Sequence, residues 1–225
     1  MGPDLEARGF VRVVGAVAAL VGGVGVAVSL ALSAAGVPPL VAAGSVVVLV
    51  AIAWARVAGR GRRALSELGA RRLATGEEPR VRNLMTGLAA DAEAPLPGLW
   101  LIEDDGPNAL VCHAGGPAVA FTTGLLRSCT HTELEAVAAH CLQRARTARR
   151  LNLYDAAAPL ARRLLHLDTC AVDLRAAAAT RYPPALASAI AKAAVRNDRF
   201  GFFWFVPPGG YAATRDRRVA ELLDL

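Results

Sequence analysis

No charged residue occurs between Val13 and Ala55, and nothing else in the chain restricts its fold so strongly. Val13–Leu32 is a run of about twenty apolar or small residues, the length that a helix needs to cross the hydrocarbon core of a bilayer. Ser33–Pro39, reading S-A-A-G-V-P-P, interrupts it with a glycine and two prolines, which end one helix and let another begin. Leu40–Val57 is a second apolar run, broken only by Gly44 and Ser45. The rest of the chain is too short to build a core that covers both runs, so a membrane hairpin is expected rather than a buried helix pair. Met1–Arg12 is short and of mixed charge, and the long run after it has no clear A-x-A exit, which argues against a cleaved signal peptide. Arg8 and Arg12 precede the first span, while Arg56, Arg60, Arg62 and Arg63 follow the second. By the positive-inside rule both termini and the domain after Arg56 lie in the cytoplasm, on a two-span anchor in the inner or plasma membrane.

The net charge of +6 is concentrated outside the hairpin, in arginine clusters at Arg60–Arg63, Arg144–Arg150 and Arg215–Arg218. Aromatic residues are not interleaved with these clusters, which speaks against a nucleic-acid partner. Attraction to the lipid bilayer, through anionic headgroups, is the simpler account of the charge. The four cysteines (Cys112, Cys129, Cys141, Cys170) form no C-x-x-C pair. Buried, reduced thiols are therefore expected, not a disulfide framework.

Three segments follow from this pattern: residues 1–58 as the anchor, 59–96 as a basic juxtamembrane helical linker, and 97–225 as a compact domain. Within the linker, Val81–Ala92 reads as an amphipathic helix. In the domain, Leu99–Ile102, Leu110–His113 and Ala118–Thr122 are short strand-like runs separated by D-D-G-P-N and A-G-G-P turns. Leu151–Leu165 predicts a helix continuing through Asp173 to Ala179, followed by helices over Ala185–Arg196 and Ala213–Leu223. The aromatic run Phe200–Phe205 reads either as an interface of a membrane complex or as packing of the C-terminal helix on the sheet.

Glu135–Arg150 carries the chemistry. Leu134, Val137, Ala138 and Leu142 recur at helical spacing, and Thr130 or Thr132 can cap the start, with Glu133 or Glu135 in the first turn. His140 lies mid-helix, where an H-E-x-x-H zinc peptidase carries its first ligand and where a second histidine one turn on shares its face. Here the next residue is Cys141, and the residue one turn on is Arg144.

The order of pieces resembles the membrane zinc metallopeptidases of the HtpX and CAAX prenyl protease type. The motifs are P-N-A-L at Pro107–Leu110, F-T-T-G-L-L at Phe121–Leu126, T-E-L-E-A-V-A-A-H at Thr132–His140 and A-V-D-L-R at Ala171–Arg175. A-L-A-S-A-I-A-K at Ala185–Lys192 and V-P-P at Val206–Pro208 follow in the family's order. The resemblance implies an α+β fold: a transmembrane hairpin, then a mostly helical zincin-like (gluzincin) domain with a small sheet of about three strands. It also implies zinc ligands at His140, Arg144 and Thr169, a general base at Cys141, and an aspartate at Asp173. The stretch between the two ligand motifs is short for the family.

The departures fall on the chemistry. Cys141 cannot replace a carboxylate base, the fixed charge of Arg144 repels a cation, and Thr169 is a poor zinc ligand. His166 and Cys170, four apart, offer a rebuilt set with His140, but one without a base. Cys141 and His140 are adjacent on a helix and project about 100° apart, so they do not form a nucleophile–base pair. The expectation is a catalytically inactive, membrane-anchored relative without a cofactor. It would bind a protein or peptide along an edge strand (Ala118, Val119, Ala120, Phe121, Thr122), as the family holds its substrates. The alternatives are an active zinc endopeptidase with atypical ligands and a structural subunit of a membrane complex.

Overall fold

The computed structural model describes residues 3–164, 169–194, 199–209, 211 and 213–225. Two long helices come first, α1 (Pro3–Ala34) and α2 (Pro39–Glu67), joined by a short turn in which Gly36 takes φ +84°. Pro39 opens α2, where a missing N–H costs nothing. Both helices contain a stretch long and apolar enough to cross a membrane, Phe10–Ala34 and Ala43–Glu67. Leu20, Leu30, Leu40, Val47 and Trp54 are all exposed along them, an apolar surface that lipid, not water, would cover.

α2 does not stop at the membrane. It continues through the arginines into the domain, where Ala64 and Leu65 are buried. Gly61 lies so close under the His113 backbone that any Cβ there would collide with the His113 carbonyl. After it come β1 (Arg71–Arg72) and α3 (Pro79–Asp91), with Val81, Met85 and Ala89 buried in the core. Within the 59–96 stretch, expected as a linker, Ala64, Leu65, Val81, Met85 and Ala89 belong to the buried core.

The sheet has four strands in the order β1-β2-β4-β3, with β2 at Gly98–Ile102, β3 at Ala109–His113 and β4 at Pro117–Thr122. β3 and β4 form an antiparallel hairpin, Ala109 opposite Phe121, and β2 runs parallel to β4, Gly98 opposite Ala118. β4 is therefore an inner strand. The expected peptide-binding edge at Ala118, Val119, Ala120, Phe121 and Thr122 has both of its hydrogen-bonding sides occupied, and its residues are buried. An edge strand must offer unpaired N–H and C=O groups, so that expectation is corrected.

Seven helices complete the described domain: α4 (Thr123–Ser128), α5 (His131–Ala145), α6 (Ala148–Ala156), α7 (Ala158–Leu164), α8 (Thr169–Thr180), α9 (Pro183–Lys192) and α10 (Arg215–Leu223). The single helix expected from Leu151 onward is interrupted between α6 and α7, and residues 165–168 lie outside the described residues. Pro159, the second residue of α7, cannot continue a helix that would need its N–H. Phe200–Phe205 is buried, so this run is core packing and not an exposed interface. The overall organisation is α+β, an apolar hairpin followed by a mostly helical domain around a small mixed sheet. All four cysteines are buried and unpaired with one another.

Candidate functional site

α5 is fixed at its start by a capping box. Thr130 Oγ1 accepts from Glu133 N, and Glu133 Oε2 accepts from Thr130 N at 2.8 Å. The same carboxylate accepts from Ser188 (2.5 Å) and from Lys192 (2.7 Å) on α9. Burial works to raise the Glu133 pKa, but these donors outweigh it and hold the carboxyl at about 2. One sequence signal, T-x-x-E, thus caps the helix and staples it to α9.

This frame places His140 at the centre of the domain, its side chain fully buried. Its Nδ1 is 2.8 Å from Asp173 Oδ1 on α8, although the N–H is not aimed along that line, and its Nε2 has no hydrogen-bond partner. The ring meets Phe205 edge to face at 4.8 Å. Burial pushes the His140 pKa down to about 4, with the charges of Arg218 and Arg144 adding to it against the opposing pull of Asp173. The imidazole is neutral at physiological pH.

Asp173 has a stronger partner. Arg218 on α10 donates to it twice, Nε to Oδ2 at 2.7 Å and a terminal N–H to Oδ1 at 2.8 Å, and with its other terminal nitrogen to the Phe205 carbonyl at 2.8 Å. Burial raises the Asp173 pKa, but the Arg218 hydrogen bonds reverse this and hold the carboxyl below the ordinary range. Such a bidentate pair satisfies both oxygens in a fixed geometry.

Arg144 lies one turn after His140 and is buried. Its two terminal nitrogens donate to the carbonyls of Trp204 and Phe202, each at 2.6 Å. The chain from Phe202 to Val206 is fastened from several sides. Phe202 N donates to Asp155, Val111 N donates to the Phe203 carbonyl at 2.8 Å, and Phe205 N donates to the Ala109 carbonyl at 2.7 Å. Asn108, from the P-N-A-L motif, accepts from Val206 N and donates to the Val206 carbonyl. The aromatic segment therefore lies along the outer side of β3 and over the histidine. It occupies the edge from inside the same chain.

Among the described residues, the remaining candidates do not assemble a metal centre. Cys141 is fully buried, and burial raises its thiol to about 12, so it carries no thiolate to act as a nucleophile. Thr169 is buried, and its hydroxyl has no hydrogen-bond partner among the described residues. Cys170 is buried as well, while His166, its proposed partner, lies outside the described residues. Among the described residues no three His, Cys, Asp or Glu side chains converge as a metal would require. A catalytic zinc ion needs three protein ligands and an open position. Among the described residues, His140 feels the charges of Arg144 and Arg218 and its neighbouring carboxylate, Asp173, is paired with Arg218, so this set does not supply those three ligands.

Comparison with known proteins places this arrangement. No protein-family model matches the chain. Among curated proteins, a protein from Streptococcus gordonii named Protease HtpX homolog is 38% identical over 78 residues, 34% of this chain and 26% of the relative. Over this stretch the chain is similar to an HtpX protease homologue. A protein of the same name from Thermodesulfovibrio yellowstonii is 35% identical over 78 residues, 34% of this chain and 28% of the relative. One from Methylibium petroleiphilum is 42% identical over 64 residues, 28% of this chain and 23% of the relative. The matched stretch thus spans between 23% and 28% of these relatives' length. With two exposed apolar helices beside this relationship, the protein is a membrane protein.

In the HtpX-like frame, Arg218 is the residue that sequence reasoning missed. It reads as one member of a basic cluster, yet it is fully buried. Two signals pointed to it: Leu222, four residues on, puts it on the apolar stripe of α10, and Asp173 in a core helix needs a cationic partner. Asn108 was noticed only as part of a motif, and its task is to pin the Val206 backbone.

Proposed function

We propose that this chain is a non-catalytic, membrane-anchored relative of the HtpX proteases, acting as a protein- or peptide-binding or regulatory module. One observation carries the reading: the position one turn after His140, where the H-E-x-x-H frame needs a ligand, holds a guanidinium clamped on the Phe202 and Trp204 carbonyls. A residue in that role supports the fold and is not free to bind metal or to polarise a substrate carbonyl. The absence of a carboxylate after His140 supports the same reading. The flanking arginines support an orientation with both termini and the domain in the cytoplasm.

The test uses the full chain in detergent micelles with a fluorescently labelled unfolded casein and added zinc. No cleavage is expected, with or without chelator. Cleavage that chelator abolishes, and that is lost on His140→Ala, would overturn the proposal.

A further inference from the structure

Several arginines that play no part in the remodelled cleft gather where the hairpin enters the domain. Arg12 on α1, Arg56, Arg62 and Arg63 on α2, and Arg149 and Arg150 in the first turn of α6 are all exposed. α6 is held against the foot of the hairpin. Asn152 donates to the Val57 carbonyl at 3.3 Å and the His113 carbonyl at 2.9 Å, Tyr154 meets Phe10 edge-on, and the Arg150 guanidinium lies 4.7 Å over the Phe10 ring. Arg149 Nε donates to His113 Nε2 at 3.2 Å, so the imidazole accepts, is neutral there, and fixes the guanidinium. Burial lowers the His113 pKa, and the charges of Arg149 and Arg62 lower it further; both therefore act on one point.

This charge is uncompensated from within. Among the described residues no ion pair joins Arg62, Arg149 or Arg150, and the nearby Asp155 is engaged by Arg60 at 2.7 Å. α6 also begins with two cations where its dipole favours an anion, and Thr147 gives it no side-chain cap. The level in the membrane is fixed by the hairpin. Trp54, exposed on α2, is of the type that settles at the bilayer interface. Arg62 follows Arg56 by about 9 Å of helix, comparable with the headgroup layer beyond the hydrocarbon.

We propose that Arg62 and Arg149 form a binding site for the phosphate of an anionic phospholipid in the leaflet that faces the domain. Arg149 is held by His113, whose backbone packs against Gly61 beside Arg62, so α2 and α6 each bring an arginine to this point, and the His113 contact orients one of them for forked recognition of phosphate oxygens. The domain is thereby seated on the bilayer surface, and this does not depend on whether the cleft cleaves peptides.

Native mass spectrometry of the full chain in detergent, titrated with dioleoyl phosphatidylglycerol or dioleoyl phosphatidylcholine, tests the site. One phosphatidylglycerol should be retained in preference to phosphatidylcholine. Arg62→Gln with Arg149→Gln should weaken it about 30-fold, the loss of two cationic contacts near a lipid surface. A charge-matched control, Arg175→Gln with Arg181→Gln, should bind as wild type. If the Gln pair fails to fold, Arg62→Lys with Arg149→Lys, which keeps the charge and loses the fork, should still reduce the preference. Equal binding by wild type and site variants overturns the proposal. So does displacement of phosphatidylglycerol by millimolar inorganic phosphate, which would assign the site to a soluble phosphate.

Discussion

Replacing Arg144 with Met, which is apolar and of similar length, removes both 2.6 Å hydrogen bonds to the Phe202 and Trp204 carbonyls without opening a large cavity. A hydrogen bond from a charged donor contributes about 1.5–3 kcal/mol, and each buried carbonyl left without a partner costs about 1–3 kcal/mol. Relief from desolvating the guanidinium offsets part of this. A net loss of about 3–4 kcal/mol is expected, equal to a rise of a few hundred-fold in the opening equilibrium. Cys112 is a built-in reporter, because it is fully buried on β3 next to Val111, which donates to the Phe203 carbonyl. Burial also raises its thiol to about 12, so it is inert while the segment is closed. Labelling with a disulfide reagent, with the modified peptide identified by mass spectrometry, follows the opening equilibrium when reclosing is fast. Arg146→Gln, at an exposed residue that donates to the Ala92 carbonyl, should change the rate little. If Arg144→Met protects Cys112 as well as wild type does, the clamp is not structural and the argument from Arg144 falls.

Other expectations concern the same network. Arg218→Met leaves Asp173 buried with only the His140 imidazole beside it and should cost about 3–5 kcal/mol in chemical unfolding, whereas Arg218→Met with Asp173→Leu should recover more than half of it; no recovery would mean that the pair is not the unit. Thr169→Val replaces a buried, unpartnered hydroxyl with a methyl and should stabilise by about 1 kcal/mol; a marked loss would show that the hydroxyl has a role. His140 gives a pH signature. Its folded pKa of about 4 lies below the ordinary 6.5, so between these values the unfolded chain takes up a proton that the folded chain refuses, and stability falls as pH falls. The loss should total roughly 3 kcal/mol by pH 4, and unfolding of His140→Leu should show a much flatter slope across that window. An unchanged slope would assign it to other groups, such as His113, which is shifted in the same direction.

Much of this was legible because simple signals dominate locally. The hairpin follows from the uncharged stretch, α5 from a helical stripe behind two candidate caps, Thr130 and Thr132, and the departure from H-E-x-x-H from Cys141 and Arg144 themselves. The sheet order was not legible. β2, β3 and β4 are consecutive in sequence, but the parallel pairing of β2 with β4 puts β3 outside, and no short-range pattern encodes that crossover. This moved the open edge from Ala118–Thr122 to β3, where Phe203–Phe205 then occupies it. The break of the long alanine-rich segment between α6 and α7 was hidden by uniformly high helix propensity, despite Pro159. Burial of individual arginines was hidden too. Arg144 is buried while Arg149 and Arg150 are exposed, and Arg218 is buried while Arg217 is exposed, a difference of helix face that cluster counting erases.

The claim that the metallopeptidase frame has become a structural ion network is tested most directly by the zinc content of the full chain. The protein would be purified without chelator, equilibrated with zinc and measured by elemental analysis beside His140→Ala. The account predicts far less than one zinc per chain and no difference between the two proteins. About one zinc per chain in the wild type, lost in His140→Ala, would contradict it.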